Sequence, residues 1–200
     1  MTPAEEKILI SRSKHDPAAF GKIYDNYFDQ IFNYVLYRIG NVTIAEDLTA
    51  QTFFNALKSL WKFRFTGISI VAWLYRIASN EVNGYLRKRN KRSFTNLDAF
   101  PDGLPDGESR PDQEIEAAEE TVNQHKTFLI LNQCIQKMKP EEQTLITLRY
   151  FNKKTFTEIA AILGKREGTL RMRTKRALEK LKNQLQIQGV DDETLGRDFI

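Results

Sequence analysis

The chain has 200 residues and a net charge of +4, from 30 lysines and arginines against 26 aspartates and glutamates, a length that holds one or two domains. Its single cysteine, Cys134, excludes an intrachain disulfide and a cysteine zinc cluster, and no apolar run reaches the ~18 residues of a membrane span. The opening residues MTPAEEKILISRSK lack the basic start, apolar stretch and small-residue cleavage site of a secretion signal, so the chain is expected in the cytoplasm without membrane insertion.

Thr2 and Glu5 have the spacing of a capping box, and Pro3 suits a first helical position. Asp16–Pro17 opens a second helix, in which Phe20, Ile23, Tyr24, Tyr27, Ile31, Tyr34, Val35 and Arg38 recur at helical spacing until Gly40 closes it. Thr43 and Glu46 are expected to cap a third helix. Its residues Ala45, Phe53, Ala56, Leu57 and Leu60 point one way. Asp47, Gln51, Asn55 and Lys58 point the other, with Leu48 beside them, which describes either a docking surface or a solvated face.

A fourth helix runs from IVAWLYRIASNEVNGYL into RKRNKR. Leu74, Ile77, Ala78, Glu81, Val82 and Tyr85 line one side, and Arg76, Asn80, Asn83 and Arg87 line the other. Asparagine and arginine are residues that read base edges and grip phosphates. The helix ends with five cations, Arg87, Lys88, Arg89, Lys91 and Arg92, within six residues. Each stabilises a helix C-terminus by about 0.3–1 kcal/mol, and the cluster exceeds that need. Trp61, Phe63, Phe65 and Trp73 lie before or at the start of this helix. Such rings either stack on unpaired bases or fill the core, and at least two of the four are expected inside.

Charge divides the chain into net +6 over 1–92, −8 over 93–124, +9 over 125–188 and −3 over 189–200. Two basic modules, suited to a polyanion, are thus joined by an acidic linker. Pro101, Gly103, Pro105, Gly107 and Pro111 make the linker flexible and largely unstructured to about Pro111. It is either a solvated spacer or an extended segment lying in a positively charged channel of a partner.

In the second module Cys134 sits in a helical pattern as a small core residue. Thr155 and Glu158 form another capping box, Ile159, Ala160, Ile162 and Leu163 supply a buried side, and Gly164 ends the helix. The next helix begins near Glu167. Leu170, Thr174, Ala177, Leu178, Leu181 and Leu185 fall on one third of its circumference. Gly168, Thr169, Met172 and Arg176 lie opposite, flanked by Arg171, Arg173 and Lys175. A helix–turn–helix places the start of its second helix against base edges, where arginine pairs with guanine and threonine or methionine touches the thymine methyl. The plain alternative is a helical hairpin with a solvated basic face.

No strand pattern of useful length occurs, so the fold class is all-α: two small helical domains, the second with a helix–turn–helix. The expected boundaries are 1–92, the acidic linker 93–124, 125–188 and a tail 189–200. His15 and His125 stand far apart without neighbours at metal-ligand spacing. There is no glycine-rich phosphate loop, GxSxG or HExxH. Glu141–Glu142 and Asp191–Asp192 read as helix-start and tail charges. No catalytic residue, metal site or cofactor is expected, and a nucleic-acid-processing enzyme is disfavoured against a DNA-binding protein.

These modules, in this order, resemble the bacterial sigma factors, specifically the small extracytoplasmic-function group, over about 17–92 and 126–186. AEDLTAQTFFNAL looks like the segment that binds the polymerase β′ clamp. Asp47, Leu48 and Phe53 match that pattern; its glutamine is replaced by Ala50, with Gln51 next. AWLYRIASNEVNGYLRKRNKR is similar to the helix that engages the promoter −10 element, with Trp73, Leu74, Arg76, Ile77 and Asn80 matching. PEEQTLITLRYFNKKTFTEIAAILGKREGTLRMRTKRALEKL is similar to the domain for the −35 element and β flap. Gly168, Thr169, Arg173 and Arg176 match its recognition helix; Arg166 replaces the capping serine and Met172 a small residue. Arg166 cannot accept an N-cap bond, a loss of about 1 kcal/mol, and is placed to meet a phosphate instead.

The resemblance implies a factor that binds core RNA polymerase, at the β′ clamp through Asp47, Leu48, Gln51 and Phe53 and at the β flap through the second module. It implies −10 binding by Phe65, Trp73, Arg76, Asn80, Asn83 and Arg87, with capture of unstacked bases. It implies −35 reading by Arg166, Thr169, Arg171, Met172, Arg173, Lys175 and Arg176. It further implies an anti-sigma protein as a silencing partner. The rival reading is an autonomous helix–turn–helix regulator that leaves the Asn80 face idle.

Overall fold

The second helix, α2 (Pro17–Ile39), organises the first module. The computed structural model describes residues 2–65, 68–95 and 127–190. Most of the acidic linker, His125 and Asp191–Asp192 lie outside the described residues, as do the side chains of Lys91 and Arg92. Helix α1 (Pro3–Ser13) starts on the expected capping box: Thr2 Oγ1 accepts from the Glu5 amide at 3.3 Å, and Glu5 accepts from the Thr2 amide at 2.7 Å. Asp16 caps α2 by accepting from the Ala18 amide, and Gly40 closes it in the left-handed region at φ 73°.

Helix α3 (Val42–Ser59) departs from expectation at its start. Asn41, not Thr43, is the cap, and its Oδ1 accepts from the Ile44 amide at 3.0 Å. Asparagine ranks among the best N-cap residues, and its position leaves no unfolded residues between the Gly40 turn and the helix. Leu57 is also corrected. It lies about a quarter turn from the side that buries Ala45, Phe53 and Ala56 and is 45% exposed. A 3-10 turn, Leu60–Lys62, follows. Helix α4 (Ile70–Thr95) runs three residues past the expected boundary at 92, into the start of the acidic linker.

The second module comprises α5 (127–137), α6 (Pro140–Ile146) continuing as a π turn (Thr147–Phe151), α7 (Phe156–Leu163) and α8 (Glu167–Ile187). The capping box at Thr155–Glu158 forms, and Gly164 caps α7 at φ 66°. Leu170, Thr174, Ala177, Leu181 and Leu185 are buried and Leu178 half-buried, so the α8 stripe is core as read. Among the described residues there is no strand.

One core crosses the module boundary. Leu145, Leu148, Ile159, Ile162 and Leu170 join a single buried cluster with Ile23, Tyr34, Phe53, Leu74 and Val82. A separate cluster holds Leu131, Cys134, Ile135, Leu181 and Leu185. Burial pushes the Cys134 thiol pKa up, as fits a packing residue. The boundary is also crossed by polar contacts. Asn132 donates to the Tyr37 carbonyl and Gln136 to the Ile39 carbonyl, each at 2.9 Å, which satisfies orphan groups at the α2 C-terminus. Tyr37 stacks on Phe151 with centroids 3.9 Å apart.

Gly40 sits at this junction. A Cβ there would lie 2.2 Å from Asn132 Oδ1, in addition to needing a positive φ. Gly40→Ala is therefore expected to destabilise the chain by more than ~1 kcal/mol, measurable as a lower urea midpoint.

Candidate nucleic-acid interface

Helix α4 presents the row the sequence singled out. Asn80, Arg76 and Arg87 are exposed, Asn83 is half-buried, and Leu74, Ala78 and Val82 are buried behind them. Two of the four are already engaged. Arg76 donates through Nε to the Ile162 carbonyl and through Nη2 to the Ala161 carbonyl, both at 2.6 Å. These are end carbonyls of α7, which carry partial negative charge and lack intrahelical donors. Asn83 Oδ1 accepts from Arg38 Nη2 at 3.0 Å. Arg38 is fully buried and reaches across the modules, from Nε to Gln143 Oε1 at 3.1 Å and from Nη1 to Thr144 Oγ1 at 2.7 Å. The Asn80 face thus looks into a cleft of about 660 Å³, walled on the far side by α6 and the α7–α8 turn.

Of the four rings, Phe63 is buried, Phe65 and Trp73 are half-buried, and Trp61 is 68% exposed. Phe63 and Trp73 pack together at 4.9 Å. They form walls of a second cavity of about 320 Å³, completed by Ser59, Lys62, Arg64, Ile68 and Arg76. That volume lies at the small end of ligand cavities, which run to about 300–1,000 Å³. Aromatic walls with a cationic rim suit a base with its phosphate.

On α8, Thr169, Arg171, Met172, Arg173, Lys175 and Arg176 are all exposed, and so is Arg166 before it. Arg166 occupies the N-cap position without a side-chain cap bond. Arg171 pairs with Glu167 and covers the Phe156 ring at 4.7 Å. Arg173 and Lys165 both pair with Glu141, whose carboxyl is held below its ordinary pKa by the hydrogen bond from Lys165, with Arg173 adding to it. Such exposed pairs contribute about 0–1 kcal/mol, so these cations exchange partners cheaply.

On α3, Asp47 and Gln51 are exposed and Leu48 is half-buried. Phe53 is only 3% exposed, packed against Tyr24 and Phe28 with centroids at 4.8 and 6.4 Å. The expectation that Phe53 makes a surface contact is corrected: its ring supports the helix from below. Sequence reasoning passed over Phe54, which is 55% exposed on the same helix as Asp47 and Gln51; Leu57 is also exposed there, as is Trp61 in the 3-10 turn that follows. The i, i+3 spacing of Phe54 and Leu57 was the available signal.

Among the described residues, no group of three or more His, Cys, Asp or Glu is placed to hold a metal, and no helix is long and apolar enough to cross a membrane. Residues 23–92 match the family Sigma-70 region 2, and residues 134–183 match Sigma-70, region 4. The chain is 31% identical over 183 residues to the ECF RNA polymerase sigma factor SigW of Bacillus subtilis, covering 90% of this chain and 96% of that one. It is 33% identical over 142 residues to the RNA polymerase sigma factor YlaC of the same organism, covering 71% and 78%. It is 32% identical over 178 residues to the ECF RNA polymerase sigma factor BldN of Streptomyces coelicolor, covering 86% of this chain but 64% of BldN's length. The fold is similar to that of CnrH in complex with the cytosolic domain of CnrY, at TM-score 0.64, 19% identity and coverage of 91% and 97%. It is also similar to the sigma factor RpoE in complex with the anti-sigma factor NepR from Bartonella quintana, at TM-score 0.61, 19% identity and coverage of 84% and 97%.

Proposed function

The chain belongs to the ECF RNA polymerase sigma factors, and from that premise we propose how its surfaces divide the work of starting transcription. The chain binds core RNA polymerase in the cytoplasm and directs it to promoters. It carries no bond chemistry of its own; its residues position DNA and stabilise opened strands. The observation that carries this reading is the Asn80 row of α4, with Arg76, Asn80 and Arg87 exposed and Asn83 half-buried, beside an aromatic, cation-rimmed cavity on the same module.

In this reading Asp47, Gln51 and Leu48, with Phe54, Leu57 and Trp61, dock on the β′ clamp, while Phe53 holds their helix in place. The second module docks on the β flap and lays α8 into the −35 major groove. Arg173 and Arg176 read base edges; Arg166, Arg171 and Lys175 grip phosphates; Thr169 and Met172 make the apolar contacts. The first module captures unstacked bases of the non-template strand through Trp73, Phe65, Asn80 and Asn83, with Arg76 and Arg87 on the backbone. Arg76 must exchange the Ala161 and Ile162 carbonyls of the second module for DNA, so capture begins with the modules parting, and within the first module Asn83 must leave Arg38. An anti-sigma protein that keeps them together or covers α4 would silence the factor.

Gly168 supports the α8 assignment. A Cβ there would meet nothing within 4 Å, so the fold itself does not need the glycine, which costs a helix up to ~1 kcal/mol relative to alanine. A partner that approaches the α8 backbone does need it. Gly168→Ala is expected to raise the unfolding midpoint slightly while weakening binding to −35 duplex, read by fluorescence anisotropy of the holoenzyme.

Run-off transcription with core polymerase and fragmented genomic DNA tests the function. Discrete start sites that depend on the added chain are expected. Sequence-specific DNA binding by the chain alone, with no start sites on any fragment, would transfer the protein to the autonomous regulators.

A further inference from the structure

Helix α1 precedes the region matched by the family, 23–92, and carries none of the residues assigned above. Side chains of α1 and of Lys14, the residue that caps its C-terminus, nonetheless hold both ends of the segment that leads into α4. At the start, Lys14 Nζ donates to the Phe63 carbonyl at 2.8 Å. At the end, Glu6 Oε1 accepts from Ser69 Oγ at 2.6 Å and from the Ile70 amide at 2.8 Å. Ile70 is the first residue of α4, so its amide is one of the orphan donors of a helix N-terminus, where a negative charge is favourable. A carboxylate from another helix therefore does the work of a cap. Glu6 is 7% exposed, and burying a carboxylate is costly unless its oxygens are hydrogen-bonded. The hydroxyl and amide supply that compensation. Tyr27 closes the cluster: burial, and then the charge of Glu6, push its phenol up to about 12.

Between the two pins lie Arg64 and Ile68, which with Phe63 and Trp73 wall the 320 Å³ cavity. A segment held at both ends loses less conformational freedom when a ligand arrives than one held at neither, and that saving appears as affinity. We propose that α1 is a brace for base capture, in which Glu6 and Lys14 are positioning residues that fix the walls of the cavity before an unpaired promoter base enters. The proposal rests on the reading of that cavity given above and adds the element that organises it. Neither residue touches DNA.

The test uses the full chain bound to core polymerase and three variants, Glu6→Ala, Glu6→Gln and Lys14→Ala. Each is titrated with two probes, a fork-junction DNA with a single-stranded −10 segment and a fully duplex −35 fragment. Affinity for core enzyme and thermal unfolding are measured in parallel. Glu6→Ala should weaken fork-junction binding about tenfold, the scale of a lost helix cap, with affinity for core and for −35 duplex unchanged. Glu6→Gln retains an acceptor for Ser69 and Ile70 and should recover most of the loss. Lys14→Ala, a change at an exposed side chain, should fold normally and lose a smaller factor on the same probe alone. Native-like fork-junction binding by Lys14→Ala and Glu6→Ala would overturn the brace. Equal losses on both probes, or no recovery by Glu6→Gln, would reduce α1 to a folding element and overturn it as well. If the native holoenzyme itself shows no preference for the single-stranded −10 segment, the base-capture reading fails first and the brace falls with it.

Discussion

Arg38→Met should lower the stability of the folded chain by about 2–4 kcal/mol and separate its two modules. Arg38 is fully buried, and its four hydrogen bonds go to neutral oxygens: Tyr34 and Asn83 in the first module, Gln143 and Thr144 in the second. Hydrogen bonds from a charged donor contribute about 1.5–3 kcal/mol each and offset the cost of burying the guanidinium. Methionine replaces the stem but not the fork. Tyr34 keeps Ser79 as a partner and Thr144 keeps the Pro140 carbonyl, but Gln143 Oε1 and Asn83 Oδ1 lose the donor Arg38 supplied. Lysine is no remedy, because a point charge cannot serve acceptors on three helices in one plane. Urea unfolding reads the stability change, and small-angle scattering reads separation as a larger radius of gyration. An unchanged midpoint with unchanged dimensions would mean that the interface does not depend on this residue. The same variant frees Asn83, so faster capture of fork-junction DNA by the holoenzyme should accompany the opening.

The next largest effect is expected on α8. Arg173→Ala and Arg176→Ala should each weaken −35 binding by about 1–3 kcal/mol, roughly 5- to 150-fold, if the guanidinium pairs with a guanine. The ion pair between Arg173 and Glu141 is exposed on both sides and contributes at most about 1 kcal/mol, so the measured loss reports the DNA contact. The discriminating control is a set of −35 duplexes, each changed at one base pair. A variant that has lost a base contact becomes indifferent at one position and keeps its preferences elsewhere. A uniform loss across all duplexes, with a shallower salt dependence, would assign the residue to phosphate.

Local rules recovered much of this fold. The boxes at Thr2–Glu5 and Thr155–Glu158, the Asp16 cap and the turns at Gly40 and Gly164 are all decided within a few residues, and each forms as the sequence implies. The failure at Thr43 is also local: two good capping residues stand two apart, and Asn41 took the role. What remained illegible depends on contacts distant in sequence. Arg38 falls at core spacing in α2, yet its burial makes sense only through Gln143 and Thr144, 105 and 106 residues later. Glu6 lies in the first turn of α1, where an acidic residue needs no distant partner, yet its partners Ser69 and Ile70 are 63 and 64 residues away. Arg76 was read as a DNA contact, and nothing near it in sequence announced the α7 carbonyls it holds. On α3, Phe53 and Phe54 are adjacent, and only the phase of the helix decides which ring reaches the surface. The residues proposed for DNA and polymerase therefore lie on the helices read for them, while their internal partners were not legible.

The central claim is that α4 of this chain opens promoter DNA by holding unstacked bases while the chain rides on polymerase. Permanganate modification of −10 thymines tests it most directly, with core enzyme plus native chain compared to core enzyme plus Asn80→Ala at matched promoter occupancy. The account predicts strong reactivity that requires both core and chain and that falls several-fold in the variant, a change on the order of 1 kcal/mol for one lost base contact. Equal reactivity for the two proteins would contradict the assignment of α4, and no reactivity with either would contradict the claim itself.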